Sequence, residues 1–406
     1  MRIAFVTQWF PPETGTLVSA AIADGLGSRG HDVHVLTGFP NYPTGKLYDG
    51  YRVTRYLREQ RSANVTVHRA PLIPSHDASA VRRATNYLSF SAGASWVART
   101  RMPAPDVWLT YSSPATAAVP ALTVPRRVRA PHLLLVQDLW PDSVTESGFL
   151  GGSAGRTASA ALERFCDWTY RRSAGIGVIS PGMRQILTDR GVPAEKIALV
   201  SNWIDDSHLH PAAQPTNESR AALGLPAGRL FVYAGNIGEL QGLDALLDVF
   251  AQCPESTLVL IGDGVALPSL KQRVSTGGLT NVQFFASQPQ EHIGAFLAAA
   301  DVLVVSLRDT PLLRATMPSK VQASLAAARP VLAFAAGDAA QIVTDGDCGL
   351  AVPPGDVAAG AVAVRTLTGM PQEQLAVLGR NARGLYEREF SPQAGLDRME
   401  AWLMGR

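Results

Sequence analysis

The feature that most constrains the fold of this chain is the alternation of short apolar, β-branched segments with amphipathic segments of helical period. This alternation is typical of parallel sheets built from βαβ units. Helices are predicted over Leu17–Arg29 and Arg156–Arg172. The strands predicted in the first half of the chain are Ile3–Thr7, Asp32–Leu36, Val65–Arg69, Val107–Thr110, Leu133–Gln137, Ile176–Ile179 and Ala198–Val200.

The same alternation starts again after a polar segment, Asp206–Glu218, which has the composition of a linker. Two such series predict an α/β protein with two doubly wound, Rossmann-like domains facing each other across a cleft. Ligands are expected in that cleft, because the carboxyl ends of parallel strands form the binding edge of such sheets. In this half a helix is predicted over Gly242–Ala251, and the predicted strands are Leu230–Ala234, Thr257–Ile261, Val282–Phe285, Val302–Val305 and Val331–Phe334.

The predicted domains cover residues 1–206 and 207–390, and residues 391–406 form a final helix. Ser391-Pro392 supports the helix start, because serine is a good N-cap and proline is favoured at the first helical position. The first 206 residues carry 22 Lys and Arg against 16 Asp and Glu, whereas the remainder carries 14 against 18. A basic first half and an acidic second half suggest that the two halves have different partners.

Composition limits the class of protein. The chain is 46% hydrophobic and 17% charged, as in globular proteins. Cys166, Cys253 and Cys348 are far apart, which argues against a zinc site or a disulfide framework and favours a reducing cytoplasm. The apolar run after Met1 is too short for a signal peptide, and no segment approaches the roughly 20 apolar residues of a membrane-spanning helix. We therefore expect a cytoplasmic protein.

Several functional classes lack their motifs. The sequence contains no GxSxG, GxxxxGK[ST] or HExxH motif. Its eight histidines are scattered without the spacing of metal ligands. Basic residues are not interleaved with aromatic ones along one element, so no nucleic-acid partner is expected.

Two motifs in the first half place polar and aromatic residues at predicted strand ends. Gln8–Thr16 leads into a helix, and Gly15 would let the backbone approach a ligand at the helix N-terminus, where anions are favoured. In Gln137–Asp142, Asp138 could accept a proton or bind a sugar hydroxyl, and Trp140 could stack on a sugar face. The alternatives are an ordinary strand-to-helix turn and a core tryptophan beside a helix cap.

Two further motifs lie in the second half. The glycines of Tyr233–Gly242 and of Ile261–Gly264 allow a phosphorylated ligand to approach the backbone closely. In the segment that ends at Lys320, Arg314 and Lys320 place two cations beside the positive end of a predicted helix, an arrangement that favours an anion such as a diphosphate. The alternative is a pair of solvated cations on a surface turn.

These clusters, in this order, resemble glycosyltransferase family 4, whose members have the GT-B fold. The resemblance covers almost the whole chain and is closest to the aminosugar transferases of O-antigen and capsule assembly. Thr37–Lys46 and Gln137–Asp142 carry most of its specificity. The other matching segments are Gln8–Glu13, Pro74–Asp77, Asn86–Phe90, Val178–Gly182, Ser201–Asp205, Ala234–Gly238 and Met317–Lys320.

The resemblance implies a division of labour between the domains. The second domain would bind a UDP-linked nucleotide-sugar as co-substrate, the first would bind the acceptor, and the final helix would cross back to the first domain. No cofactor and no metal would be required, and same-face attack would retain the configuration of the anomeric carbon.

The resemblance also assigns roles to residues. Catalytic roles fall to Asp138, as acceptor-side base or hydroxyl ligand, and to Arg314 and Lys320, which would hold the donor diphosphate. The implied donor-binding residues are Gly235, Asn236, Gly238, Gln241, Gly262, Pro318, Ser319 and Gln341. The implied acceptor-binding residues are Gly15, Asn41, Tyr42, His76 and Trp140.

The sequence departs from the family pattern at two carboxylates. Ala323 stands where the family usually has a glutamate that grips the nucleotide ribose, and Gln341 stands where a second glutamate lies near the donor sugar. Losing a carboxylate bound to two hydroxyls typically costs about 1–3 kcal/mol. Gln322 or Asp338 could substitute in part.

The basic first half fits a polyprenyl-linked acceptor at the inner face of the cell membrane. Arg82-Arg83, the apolar segment Tyr87–Ala98 and the arginines that follow it would form a membrane-facing patch, in which each basic residue contributes about 1 kcal/mol at most. The alternatives are a buried helix with a basic rim and a soluble acceptor such as an antibiotic or nucleoside intermediate.

Two other functions share this fold. A GT-B protein that has lost donor turnover could serve as a partner or activator, and Ala323 and Gln341 favour that hypothesis. A sugar-nucleotide epimerase is the second, but the sequence offers few of the acid and base residues that such an enzyme needs around the sugar. An active retaining glycosyltransferase is the leading hypothesis.

Overall fold

The computed structural model describes residues 1–75, 79–143, 152–209 and 215–405. Contacts within the chain divide it into two compact units, one of residues 1–202 with 395–406 and one of residues 203–394. Each unit is an α/β unit around a mainly parallel sheet, which confirms the predicted fold class. His76 and residues 210–214 of the predicted linker lie outside the described residues.

The sheet of the first unit has eight strands in the order β3-β4-β2-β1-β5-β6-β7-β8. All neighbours pair in parallel except β3, which is antiparallel to β4. The seven strands predicted in this half are present, with bounds within two residues of those expected. The strands are β1 (Arg2–Val6), β2 (Asp32–Gly38), β3 (Leu57–Ser62), β4 (Val65–Ala70), β5 (Val107–Ser112), β6 (His132–Val136), β7 (Gly175–Val178) and β8 (Ile197–Leu199).

Two helices of this unit begin at serines that cap their N-termini. Ser79 accepts a hydrogen bond from the backbone N–H of Arg82, and Ser180 accepts one from Met183 at 3.2 Å. Among the described residues, no helix is both long enough and apolar enough to cross a bilayer. The helices are α1 (Leu17–Ser28), α2 (Ala80–Thr100), α3 (Val119–Leu122), α4 (Gly152–Arg172) and α5 (Pro181–Asp189), with 3₁₀ turns at Ala115–Ala118, Arg126–Val128 and Ala194–Lys196.

The second unit has six parallel strands in the order β11-β10-β9-β12-β13-β14. The strands are β9 (Arg229–Ala234), β10 (Ser256–Ile261), β11 (Val282–Phe285), β12 (Val302–Ser306), β13 (Val331–Phe334) and β14 (Gly349–Val352). The helices are α6 (Asn217–Ala222), α7 (Leu243–Ala251), α8 (Leu267–Gly277), α9 (Gln290–Ala299), α10 (Pro311–Arg314), α11 (Ser319–Ala326), α12 (Asp338–Asp345), α13 (Val357–Gly369) and α14 (Gln372–Glu389), with a 3₁₀ turn at Glu239–Gln241.

The last helix, α15 (Pro392–Met404), packs on the first unit through residues that follow Ala394. Its Leu396 occupies the space above Gly25, where an added Cβ would lie 2.5 Å from the leucine side chain. A Cβ added to Gly177 would likewise lie 2.9 Å from the Trp402 side chain. Arg29 holds the outer face of the helix through an ion pair with Glu400 at 2.8 Å. Two glycines in the first unit therefore make room for this helix.

Candidate active site

Two glycine turns lie side by side at the carboxyl edge of the second sheet. Gly235 follows β9 and Gly262 follows β10, with φ angles of +138° and +148° that favour glycine. A Cβ on Gly262 would lie 1.9 Å from the Gly235 carbonyl oxygen, so the two backbones are in direct contact. β9 is one of the two central strands of the sheet and β10 lies beside it, at the edge where parallel α/β sheets bind their ligands.

The turn after β9 is closed by its own side chains. The Gln241 Oε1 accepts hydrogen bonds from the backbone N–H of Gly238 at 3.1 Å and from Asn236 Nδ2 at 3.4 Å. Gln241, predicted to bind the donor, therefore shapes the turn with its amide oxygen. Asn236 and Gly238 lie in the same turn, beside Gly235, as the resemblance implies.

Lys320 lies in the first turn of α11 and points at the glycine turn. Its Nζ donates a hydrogen bond to the Tyr233 hydroxyl at 2.6 Å and lies 4.2 Å from the centre of that ring. Burial lowers the pKa of Lys320 from 10.5 to about 8. Within the described residues, no carboxylate lies within 4.0 Å of its ammonium. Pro318 at the N-cap of α11 supplies no capping side chain, and Ser319 begins the helix exposed.

Arg314 differs from Lys320 because its charge is already balanced. Its guanidinium binds Asp309 through two contacts, Nε–Oδ1 at 2.5 Å and Nη2–Oδ2 at 2.8 Å, on the exposed surface of α10. The argument that both cations need an anion therefore applies to Lys320 and not to Arg314. The backbone of Arg314 packs closely on Gly337. A Cβ added to Gly337 would lie 2.0 Å from the Arg314 carbonyl oxygen.

Ala323 and Gln341, at the two positions where the family usually has glutamates, make other contacts. Ala323 packs against the apolar core of the second unit. Gln322, expected as a partial substitute, is only 3% exposed, and its contact with a nucleotide stays a prediction. Gln341 is exposed on α12 and donates to Asp345 of the same helix at 3.2 Å.

At the carboxyl edge of the first sheet, Asp138 follows β6 and is exposed. It accepts a hydrogen bond from the Ser113 hydroxyl at 2.6 Å. Desolvation by the surrounding protein raises the pKa of the Asp138 carboxyl, and the bond from Ser113 opposes that rise. Such a carboxylate is a good acceptor for a hydroxyl.

An aromatic cluster lies at the same edge. The Trp9 ring is 5.0 Å from Tyr42 and 6.1 Å from Tyr87, and Tyr87 is 6.1 Å from Trp140. All four rings are partly exposed. Gly15 packs against this cluster, since a Cβ added there would lie 3.5 Å from Tyr42. The structure therefore brings together three of the predicted acceptor residues and adds Trp9 and Tyr87.

Asn41 has a different place from the one expected. It is only 1% exposed and donates its side-chain amide to the Phe39 carbonyl at 2.9 Å. Its backbone N–H binds the carboxylate of Glu13, which is itself 3% exposed. Asn41 is thus a buried part of the loop, and its contact with an acceptor stays a prediction.

The sequence analysis missed the buried charged groups that hold these loops. Glu13 accepts hydrogen bonds from the backbone N–H groups of Phe10, Asn41 and Tyr42 at 2.8–2.9 Å. Arg69, 2% exposed, pairs with Glu59 and donates to the carbonyls of Gly38 and Pro11. Each looks like a solvated surface residue in the sequence, so no sequence signal marked them.

The fold and the arrangement at the second sheet edge define the class of GT-B glycosyltransferases. Sucrose-phosphate synthase from Thermosynechococcus elongatus has a similar structure, with a TM-score of 0.74, 17% identity, and coverage of 100% of this chain and 98% of that one. HepE of Anabaena in complex with UDP-glucose has a TM-score of 0.71 and 17% identity, with 100% of both chains covered.

In the described residues, no group of three His, Cys, Asp or Glu side chains could hold a metal ion.

Sequence comparisons identify the family. The glycosyl transferase 4-like domain matches residues 15–203, and the glycosyl transferases group 1 domain matches residues 228–369. The chain therefore belongs to family 4 of the GT-B glycosyltransferases.

The similar proteins are named as glycosyltransferases. WcaI of Escherichia coli (strain K12), named as a glycosyl transferase of colanic acid biosynthesis, is 29% identical over 322 residues, or 75% of each chain. WbjE of Pseudomonas aeruginosa, named as a glycosyltransferase, is 24% identical over 303 residues, covering 73% of this chain and 74% of WbjE. The 2-deoxystreptamine glucosyltransferase of Streptomyces kanamyceticus is 25% identical over 226 residues, covering 54% and 56%.

Proposed function

We propose that this glycosyltransferase moves an N-acetylated aminosugar from a UDP-linked donor to a hydroxyl of a polyprenyl-linked acceptor, with retention at the anomeric carbon. The observation that carries the donor half is the ammonium of Lys320, which lies beside the Gly235 turn without a carboxylate partner among the described residues. A diphosphate would supply the missing negative charge. The complex of the structurally similar HepE with UDP-glucose supports a UDP-linked donor.

In the proposed transfer step, Lys320 acts on the leaving group and Asp138 on the acceptor. The acceptor hydroxyl oxygen bonds to the anomeric carbon on the face from which UDP departs, and the bond from that carbon to the diphosphate oxygen breaks. Its electron pair stays on the diphosphate, and the hydroxyl proton passes to the departing phosphate. Lys320 stabilises the charge that develops there, and the α11 N-terminus adds to this effect. Asp138 orients the acceptor hydroxyl as a hydrogen-bond acceptor.

The exposed face of α2 supports a lipid-linked acceptor. Val81, Leu88 and Trp96 are 74%, 61% and 39% exposed. Their spacing of seven and eight residues places them on one side of the helix, while Phe90 and Val97 are buried on the other. Exposed arginines accompany them at positions 82, 99, 101, 126, 127 and 129. We infer that this side lies on the anionic inner face of the cell membrane.

A small soluble acceptor is the second candidate. The observation that favours it is the similarity to a 2-deoxystreptamine glucosyltransferase, whose name gives a small polar acceptor. Incubation with UDP-N-acetylglucosamine and either a polyprenyl-diphosphate-linked sugar or 2-deoxystreptamine distinguishes the two. The anomeric proton coupling of the product in NMR reports whether configuration is retained.

The first experiment is thermal stabilisation by UDP, GDP, ADP, dTDP and their sugars. Bound ligand stabilises the folded chain by mass action, by about 2.7 kcal/mol at 100 times Kd. We expect a shift with UDP compounds that disappears in Lys320→Ala and persists in Lys271→Ala, an exposed lysine of the same unit. Arg314→Ala should have a smaller effect than Lys320→Ala, because Asp309 already balances the charge of Arg314.

Other outcomes select the other hypotheses. A well-folded chain that no nucleotide-sugar stabilises would be a partner or activator without donor turnover, as Ala323 and Gln341 suggest. Conversion of a UDP-sugar in the absence of any acceptor would indicate an epimerase.

A further inference from the structure

Tyr233 is the last but one residue of β9 and is fully buried, with 0% exposure. Its hydroxyl donates a hydrogen bond to the backbone carbonyl of Asn236 at 2.6 Å. This bond ties the end of the strand to the glycine turn that follows. A residue so buried cannot itself touch a ligand, so any role in donor binding must act through a neighbour.

That neighbour is Lys320. Because the Tyr233 hydroxyl gives its only proton to Asn236, the oxygen presents a lone pair to the Lys320 ammonium, which donates to it at 2.6 Å. The ring face, 4.2 Å from Nζ, attracts the same cation. The ammonium is thereby held next to Gly235, where an added Cβ would lie 3.6 Å from Nζ. Two of the three ammonium protons are left for an anion.

We propose that Tyr233 is a positioning residue for donor binding, which holds the Lys320 ammonium against the glycine turn and in its charged form so that it meets the donor diphosphate. This inference rests on the proposed function, because it needs a diphosphate at Lys320. It adds a residue that neither the motifs nor the family resemblance assigned to the site.

The hydroxyl has a measurable consequence for pH. Burial disfavours the charged ammonium and lowers its pKa to about 8, so donor affinity should fall as the pH rises through that value. The terminal phosphate, with a second pKa near ~6, is already ionised in that range. Tyr233→Phe keeps the ring and removes the acceptor oxygen, so the ammonium should lose its proton at a lower pH than in the wild type.

The test is the affinity for UDP by titration calorimetry between pH 6.5 and 9.5. If the ligand panel selects another base, its diphosphate is used. We expect Tyr233→Phe to bind about tenfold more weakly at pH 7, and the pH at which affinity halves to move downwards. The matched control is Tyr386→Phe, which removes another hydroxyl bonded to a backbone carbonyl of the same unit, that of Ile204. It should change neither quantity.

Two results would overturn the proposal while the proposed function stands. One is wild-type affinity and pH dependence in Tyr233→Phe. The other is an equal loss of affinity at every pH, which a merely structural role would produce. If wild type itself binds no nucleoside diphosphate, the donor site fails, and the role of Tyr233 fails with it.

A measurement on the wild type guards against a variant that does not fold. With the ammonium held as described, UDP binding at pH 8.5 should take up protons, and binding at pH 6.5 should take up none at this site. Heats recorded in buffers of different ionisation enthalpy show this uptake. Its absence at pH 8.5 would show that Lys320 does not titrate in this range, and would overturn the pH shift expected of Tyr233→Phe.

Discussion

At the scale of single residues, the loops after β1 and β2 depend on one buried carboxylate. The Glu13 carboxylate accepts hydrogen bonds from three backbone N–H groups of two loops, those after β1 and β2. Burial raises the pKa of its carboxyl from 4.5 to about 7, although the three hydrogen bonds oppose this rise. The folded chain therefore binds this proton more tightly than the unfolded chain does.

The sign of the effect follows by linkage. The contribution of Glu13 to the free energy of unfolding is fully present below pH 4.5 and is lost as the pH rises to about 7. We expect Glu13→Gln, which has no charge to titrate, to lack this loss. Urea denaturation at pH 5 and pH 8 measures it, with the exposed Glu163→Gln as the control. An identical pH dependence in Glu13→Gln and wild type would contradict the assignment.

Sequence reasoning located the cluster around Lys320 better than the contacts of the loops in the first unit. Lys320 and the glycines after β9 and β10 could be predicted because glycine spacing and a helix start are local signals. Glu13, Arg69 and Tyr233 could not, since their partners are distant in sequence or are backbone atoms. The burial of Asn41 could not be predicted either, because it depends on how two loops pack.

At the scale of elements, Trp402 helps to hold α15 on the first unit, since it packs over Gly177 and is only 7% exposed. We expect Trp402→Ala to lower the free energy of unfolding by about 3–5 kcal/mol, because the cavity cannot close around a glycine. Met404→Ala on the same helix, at a residue 63% exposed, should have little effect. Chemical denaturation of both variants measures the difference, and equal stabilities would contradict this packing.

A chain of hydrogen bonds joins β2 and β4. His34 binds Asp32 at 3.1 Å and His68 at 3.0 Å, and His68 binds the Tyr56 hydroxyl at 2.8 Å. Burial, with the positive charges of His34 and Arg58, lowers the pKa of His68 from 6.5 to about 4. The folded chain thus resists protonation of His68.

Acid should therefore destabilise the first unit through this chain. The contribution of His68 is present above pH 6.5 and is lost as the pH falls towards 4, opposite in sign to that of Glu13. We expect His68→Gln to lose less of its melting temperature than wild type between pH 7 and pH 4.5. The exposed His292→Gln should behave as wild type. A larger loss in His68→Gln than in wild type would refute the assignment.

The strands were predictable where they are buried. Central strands such as β1 and β10 are apolar and β-branched, and their bounds agree with the prediction. The missed strands are at the sheet edges. β3 is a charged, mostly exposed strand, and β14 is four residues long with a glycine at its start. Such edges are defined by their neighbours rather than by their own sequence.

At the scale of the whole molecule, the exposed side of α2 should decide whether the protein binds lipid. We expect Val81→Asp with Leu88→Asp to abolish co-sedimentation with phosphatidylglycerol vesicles, because charge replaces exposed apolar surface. Val362→Asp, at a residue 59% exposed on the second unit, is the control. Wild-type binding should weaken with added salt, since part of it is electrostatic. Equal binding by all three would place the contact elsewhere.

The first unit is discontinuous in sequence, because residues 395–406 belong to it while the second unit lies between. A ribosome releases the N-terminal half first, so the surface above Gly25 and Gly177 stays bare until the second unit has been synthesised. The unit that begins folding first is therefore the last to be completed. A fragment that stops at Asn202 would carry this bare surface permanently, so the complete first unit cannot be obtained by a single cut.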